Sequence, residues 1–124
     1  MEAFYDKLMP LLGLARKTNA FIDAQGDWSY PGDGEPYNGV EYFSEAPPGE
    51  ASFFIGILEA ADTGPTLTRI AFRVDRATLP AWLDTLREIG AHNIEPSAAM
   101  DDYPAIFFED PGGTKLELVS RIPK

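Results

Sequence analysis

The stretch FFEDPGGTKLELV, residues 107–119, constrains the fold of this chain more than any other feature. Two runs of strand-forming residues flank an Asp-Pro-Gly-Gly turn, which predicts a β-hairpin. The second run carries one carboxylate, Glu117, between Leu116 and Leu118. An acid in such a place can be a metal ligand, a general base or a residue on the wet face of an ordinary sheet, and the pattern leaves all three open.

The composition predicts one globular domain, 1–124, with no membrane span. The chain is 44% hydrophobic, has no apolar run long enough to cross a bilayer, and begins MEAFYDKLMP, which is not the pattern of a signal peptide. It has no cysteine, which excludes thiolate chemistry and fits a cytoplasmic protein. The net charge of -10 disfavours nucleic acid and favours a cationic or neutral ligand, although solubility alone also explains it.

The first half of the chain, about 1–60, predicts a helix followed by strands. Apolar residues recur at helical spacing over 3–14, and Gly13 suits a helix end. Pro10 has no N–H to donate, so we expect a break there followed by one further turn. Strands are predicted at 17–24 and 51–60, with short ones near 27–30 and 40–43 inside the Gly- and Pro-rich segment 25–50.

The second half, about 66–122, predicts the order strand, helix, strand, strand. Residues 68–74 alternate in polarity, and the helix that follows has Thr78 as its expected N-cap and Gly90 after its end. After a predicted loop, strands at 103–109 and 115–121 form the hairpin. The apolar face of the helix, with Trp82 interpreted as a core residue, consists of Leu79, Trp82, Leu83, Leu86 and Ile89.

The two halves repeat one pattern. The helix ends correspond, LLGLA at 11–15 with EIGAH at 88–92, which favours two copies of a βαβββ unit. The second helix follows a strong strand, whereas the first begins at the initiator methionine. Either the first copy lacks its opening strand or the true start lies upstream.

The segments AFYDKLMPLLGLA, TRIAFRVD and FFEDPGGTKLELV resemble the vicinal oxygen chelate superfamily, which contains glyoxalase I, extradiol dioxygenases and bleomycin-resistance proteins. The resemblance covers most of the chain. It implies an α+β fold in which two βαβββ modules form a curled mixed-sheet cup, with the ligand inside and the helices outside. The first module would lack its opening strand.

The same resemblance implies a metal-ligand pattern that this sequence mostly lacks. In metal-dependent members the acid of the last strand is a ligand, and Glu117 matches it. The histidine that opens the second module is replaced by Arg69, which cannot ligate a metal while protonated. The strand at 51–60 offers no central carboxylate, and the only histidine, His92, follows the second helix, where a surface role is expected. We therefore expect no cofactor, with Glu117 as the one candidate ligand should a divalent metal bind.

Six residues are the predicted ligand contacts of the cup. Arg69 and Glu117 are expected to pair across it as a salt bridge, with a Glu117 that points into water as the alternative. The others are aromatic residues, which suit flat or cationic ligands but could equally pack under a loop: Tyr103, Phe107, Trp28 and Tyr30.

Three functions remain open. The first is a metal-free protein of the bleomycin-resistance type that binds a cationic or aromatic small molecule. The second is a glyoxalase-like metal-dependent lyase, or a dioxygenase-related enzyme, that uses Glu117. The third is a scaffold or regulatory module without a ligand. A missing first strand would also leave an unpaired sheet edge, which predicts a homodimer.

Overall fold

The computed structural model describes residues 1–50, 52–59 and 69–120, which divide into two compact units. The first unit holds Glu2 and the described residues from Asp6 to Glu59; the second holds Met1, Ala3–Tyr5 and the described residues from Arg69 to Ser120. The described residues form an α+β fold with two helices and two four-stranded sheets. The predicted connector at 61–65 lies outside the described residues, as do the outer ends of the strands predicted at 51–60, 68–74 and 115–121.

The first half of the chain forms helix α1 (Glu2–Leu11) and four strands. The strands are β1 (Arg16–Ile22), β2 (Trp28–Ser29), β3 (Gly39–Phe43) and β4 (Phe54–Leu58). They pair in the order β2-β1-β3-β4, and every pair is antiparallel. The strands predicted from the sequence are therefore present, with β2 reduced to two residues.

The second half forms a complete βαβββ unit. Its elements are β5 (Arg69–Arg73), a short 3-10 turn (Arg76–Thr78), α2 (Leu79–Glu88), β6 (His92–Pro96), β7 (Ala105–Glu109) and β8 (Lys115–Val119). The sheet order is β5-β8-β7-β6, with β5 parallel to β8. In the first sheet β4 holds the place that β8 holds here, and within the described residues β4 is an edge strand, as expected for a module that lacks its opening strand.

The two helices end in the same way, which confirms the correspondence of their sequences. Gly13 and Gly90 both have a left-handed backbone, with φ of 87° and 94°. In each case the residue after the glycine donates its N–H to the carbonyl five positions back, and the glycine donates to the carbonyl three positions back. This is the Schellman motif, in which glycine satisfies the last helical carbonyls without strain.

Three local predictions need correction. The break expected at Pro10 is absent, because α1 continues through Pro10 to Leu11; a proline in the last turn removes only one hydrogen bond. The loop expected after α2 contains β6, whose polar sequence and pairing shift between His92 and Glu95 hid it. Thr78 occupies the N-cap position, but its hydroxyl donates to the carbonyl of Asp75 at 2.5 Å instead of capping α2.

Each sheet has one face of buried apolar side chains. In the second unit these come from alternate positions of β7 and β8 and from α2, with Trp82 among them as predicted: Ile106, Phe108, Leu116, Leu118, Leu79, Trp82 and Leu86. Ala105 and Glu117, on the other face of the sheet, are also buried. Because side chains alternate along a strand, the other positions lie on the opposite face, here called the open face. Within the described residues neither sheet closes on itself or curls strongly, so the curled cup implied by the resemblance is not shown.

The first sheet is tied to α1 through charged and phenolic groups. Lys17 of β1 pairs with Glu2 and, at 2.8 Å, with Asp6 of the helix. Tyr42 of β3 donates its phenol to Asp6 at 2.8 Å. Burial, together with the carboxylate of Asp6, raises the pKa of Tyr42 far above its usual range, so this phenol stays a donor. No helix in the described part of the chain is long and apolar enough to span a membrane.

Candidate functional site

The Asp-Pro-Gly-Gly turn is stabilised by the side chain of Asp110. This carboxylate is only 2% exposed, and its Oδ1 accepts hydrogen bonds from the backbone of Gly112 (2.8 Å) and Thr114 (2.9 Å). Its Oδ2 accepts the phenol of Tyr5 at 2.5 Å, within the same unit. The residues of the Asp-Pro-Gly-Gly turn therefore stabilise the hairpin between β7 and β8.

Glu117 lies in the middle of the open face of the second sheet. Its neighbours across the ladder are Phe107 on β7 and Ala71 on β5. The side chain is 5% exposed, and its Oε1 accepts a 2.6 Å hydrogen bond from the phenol of Tyr103. The acid is thus a buried, hydrogen-bonded carboxylate and not a residue on a wet face.

The structure brings together all four candidate residues of the second module. The guanidinium of Arg69 lies 4.7 Å from the centre of the Phe107 ring. The Tyr103 and Phe107 rings are almost parallel, at 8°, with their centres 6.4 Å apart. These four residues are called the Glu117 cluster: Arg69, Tyr103, Phe107 and Glu117.

The predicted salt bridge between Arg69 and Glu117 is not formed. None of the ion pairs within the described ranges joins these two side chains, and Arg69 is exposed while Glu117 is buried. The cation rests on the face of an aromatic ring, and the carboxylate takes a phenol as its partner. The charge-assisted hydrogen bond from Tyr103 thus offsets part of the free-energy cost of burying the Glu117 carboxylate.

The groups around Glu117 do not fit a divalent metal. They are a phenol, an apolar ring and a guanidinium, whereas such metals take several carboxylate, imidazole or carbonyl ligands. Across the described residues no three His, Asp or Glu side chains are grouped to hold a metal ion. His92 is exposed at the start of β6 and faces Glu109 across the ladder.

A pocket of about 370 Å³ opens within the first unit. It is lined by Thr18, Tyr30, Glu41, Phe43, Ser52 and Phe54. The phenol of Tyr30 donates to Oε1 of Glu41 at 3.2 Å, and this hydrogen bond and the carboxylate charge raise the pKa of Tyr30. The remaining candidate, Trp28, is 47% exposed on β2 opposite Ile22 and is not among the lining residues.

Sequence reasoning selected Tyr30 but missed Glu41 and Phe54. A signal for Glu41 was present, since it lies in mid-strand between the buried Val40 and Tyr42, as Glu117 lies between two leucines. Phe54 could not be assigned to the same site, because its place beside Phe43 depends on the register of β3 and β4.

No family model and no curated protein matches the sequence. The fold is similar to FosX, the fosfomycin resistance protein, from Mesorhizobium loti (TM-score 0.56, 14% identity, 98% of this chain and 83% of that one). It is also similar to the monoclinic form of FosX from Listeria monocytogenes at pH 6.5 (TM-score 0.60, 16% identity, 98% and 82%). The chain has the vicinal oxygen chelate fold. At this sequence identity the likeness establishes the fold alone, and the chemistry of the site has to be argued from the residues of this chain.

One related structure shows what a protein with the vicinal oxygen chelate fold can hold. A mutant FosX from Listeria monocytogenes was solved with Mn(II) and 1S,2S-dihydroxypropylphosphonic acid (TM-score 0.57, 16% identity, 98% of this chain and 80% of that one). Those ligands belong to that protein.

Proposed function

We propose that this protein binds a small, flat, cationic or aromatic molecule at the Glu117 cluster without using a metal ion. The observation that carries the proposal is the cluster itself: a carboxylate 5% exposed, two near-parallel rings and an exposed guanidinium on one sheet face. Ligand sites combine apolar and aromatic walls with a few polar groups of this kind.

The position of Arg69 indicates how such a ligand would lie. Its guanidinium is a flat cation that rests on the Phe107 ring, 4.7 Å from the ring centre. Because Arg69 is exposed, it can move into water and leave that ring face to a ligand. A flat cation in its place would keep the cation–π contact and would also be attracted by the nearby carboxylate of Glu117.

An anionic ligand is the second candidate, and the basic residues of the open face favour it. Arg69 of β5 lies beside Lys115 of β8, and Arg73 lies four residues further along β5, on the same face. FosX holds a phosphonate, and such a group suits a guanidinium. A metal-dependent lyase is not proposed, because the donors around Glu117 do not fit the metal.

Three probes separate the two ligand classes: quinoline, the N-methylquinolinium cation of nearly the same shape, and methylphosphonate. Binding would be followed by NMR on the aromatic resonances of Tyr103 and Phe107. We expect N-methylquinolinium to shift these resonances, with Glu117→Gln weakening its affinity about tenfold. Arg87→Gln, an exposed change on α2, is the control and should leave the affinity unchanged. Binding of methylphosphonate alone would establish the anionic class, and no response to any probe would refute a ligand site here.

We also propose that the protein is a homodimer, joined through the outer edge of β4. The backbone N–H groups of Ser44 and Glu59 donate hydrogen bonds across the β3–β4 ladder. Because hydrogen-bonded and non-hydrogen-bonded pairs alternate in an antiparallel ladder, only every second residue of β4 directs its backbone groups towards β3. The N–H and C=O groups of Phe54, Gly56 and Leu58 consequently point away from β3. The strand, FIGIL, has no charge in a chain of net charge -10, so this edge allows two copies to approach.

A two-fold axis at Gly56 would make this edge self-complementary. It would join the two β4 strands as antiparallel neighbours and place Phe54 beside Leu58 of the partner subunit. Both side chains are exposed in the single chain, at 66% and 42%. Burial of these apolar groups together with the unpaired backbone would stabilise the pairing.

A further inference from the structure

The pocket of the first unit has a composition that the proposed function does not use. Of the six lining side chains in the described part of the chain, three are aromatic, one, Glu41, is a carboxylate, and none is basic. We propose that this pocket binds a small organic cation, an alkylammonium with methyl groups on its nitrogen. The proposal goes beyond the Glu117 cluster, because it assigns a ligand class to a different set of residues.

Strand register builds the pocket on one face of the first sheet. Thr18 is paired with Glu41, and Phe43 is paired with Phe54. Directly paired residues share a face, so these four side chains project to the same side. Tyr30, which follows β2, completes the wall by donating its phenol to Glu41.

The electrostatics of the pocket select a positive ligand. Among the described residues that line it, Glu41 is the only charged one, and the Tyr30 hydrogen bond leaves the second oxygen, Oε2, available. The ring of Phe43 already attracts a cation, since the guanidinium of Arg16 lies 5.0 Å from its centre. Arg16 is exposed and is not among the lining residues, so it can yield this ring face to a ligand. Aromatic faces beside a carboxylate are the usual setting for methylated ammonium groups.

Gly56 keeps the space above Glu41 open. It lies directly opposite Glu41 in the ladder, and a Cβ added there would meet only the Glu41 Cγ, at 3.9 Å. A larger side chain at this position would therefore enter the pocket without a backbone clash. The volume of about 370 Å³ is within the range of small-molecule sites, which suits a ligand of the size of choline.

The test uses choline and its neutral carbon isostere, in which a tert-butyl group replaces the trimethylammonium. Each would be titrated into the full-length protein, with NMR observation of the aromatic resonances of Tyr30, Phe43 and Phe54. We expect choline to shift these resonances and to bind at least about tenfold more tightly than the isostere. Glu41→Gln should weaken choline binding about tenfold, and Gly56→Leu should abolish it while raising strand propensity.

A matched control separates a specific site from general attraction to an acidic protein. Glu88→Gln removes one exposed carboxylate at the end of α2 and should leave choline binding unchanged. Equal affinity for the isostere, equal weakening by Glu88→Gln, or unaltered binding to a folded Gly56→Leu variant would each overturn the proposal. Shifts confined to Tyr103 and Phe107 would also overturn it while supporting the Glu117 cluster, so the two proposals fail separately.

Discussion

The phenol of Tyr103 donates a 2.6 Å hydrogen bond to a carboxylate, Glu117, that is almost inaccessible to water. We expect Tyr103→Phe to lower the free energy of unfolding by about 1.5–3 kcal/mol, because the buried charge loses a donor. Urea denaturation of Tyr103→Phe, Glu117→Gln and the double variant measures this. The two changes should not be additive, since Gln leaves no charge in need of the phenol.

The same design tests the absent salt bridge. Arg69→Gln combined with Glu117→Gln should show little coupling, about 0.5 kcal/mol or less, because each side chain has a different partner. A coupling well above 1 kcal/mol would mean that the two charges do pair in solution.

Asp110 should be important for stability and unimportant for ligand binding. It accepts three hydrogen bonds while 2% exposed, so Asp110→Ala should cost about 2–4 kcal/mol in the free energy of unfolding. Asp110→Asn keeps one acceptor oxygen and should cost less. Thermal unfolding of both, with the exposed Asp102→Asn as control, provides the measurement. Equal melting temperatures for Asp110→Ala and the control would show that the turn forms without its carboxylate.

The charged cluster on α1 predicts part of the acid sensitivity of the protein. The hydrogen bond from Lys17 lowers the pKa of Glu2. Burial alone would raise the pKa of Asp6, but the hydrogen bonds from Lys17 and Tyr42 outweigh burial, so the pKa of Asp6 is also lowered. A carboxyl group with a lowered folded pKa contributes stability that is full above its ordinary value, here 4.5 and 3.8, and is lost as the pH falls through the folded value.

The Lys17→Met variant should therefore lose less stability than the wild-type protein when the pH falls below the ordinary pKa values of Glu2 and Asp6. Urea denaturation at a series of pH values would reveal it, with the exposed Lys7→Met as the matched control. If both variants kept the acid slope of the wild-type protein, the pairing of Lys17 with Glu2 and Asp6 would not contribute to folding.

The dimer proposal predicts a mass of twice 13.6 kDa by light scattering. Gly56→Pro removes one outward-pointing N–H of β4 and should yield a folded monomer, because the hydrogen bonds to β3 come from the alternate residues. An unchanged dimer would place the interface elsewhere, and a wild-type monomer would refute self-association.

Elemental analysis tests the absence of a metal site around Glu117. Protein purified without chelator or metal-affinity steps should retain far less than one divalent metal per chain, even after dialysis against Mn(II). The reason is the donor set, in which Glu117 has a phenol and a guanidinium near it. One tightly held metal per chain or per dimer would return the lyase alternative to consideration.

The hairpin, both helix ends and the order of the elements other than β6 could be predicted because each depends on local chemistry. Gly13 and Gly90 end helices through their backbone freedom, and Asp110 shapes a turn from its own neighbours. Strand β6 could not be predicted, since its sequence HNIEP is polar and Asn93 has a φ of 50°.

The candidate site was predictable in part. The alternation of β8 predicts that Glu117 lies on the face opposite to Leu116 and Leu118, and in the structure it is paired with Phe107 across the ladder. Its partner could not be inferred, because Tyr103 and Arg69 both lie on strands or loops beside it and only side-chain packing decides between them. The pocket at Glu41 and Phe54 could not be predicted, because its prediction needs the register between β3 and β4, which are far apart along the chain.

The parallel pairing of β5 with β8 has a consequence for how the chain folds. In the first sheet every strand pairs with one close to it in sequence, whereas position 69 must meet position 115 before the second sheet is complete. Closing so long a loop carries an entropic cost that local hairpins avoid. During folding β5 would therefore stay without this neighbour until β8 is free to pair, while the first sheet could already have formed.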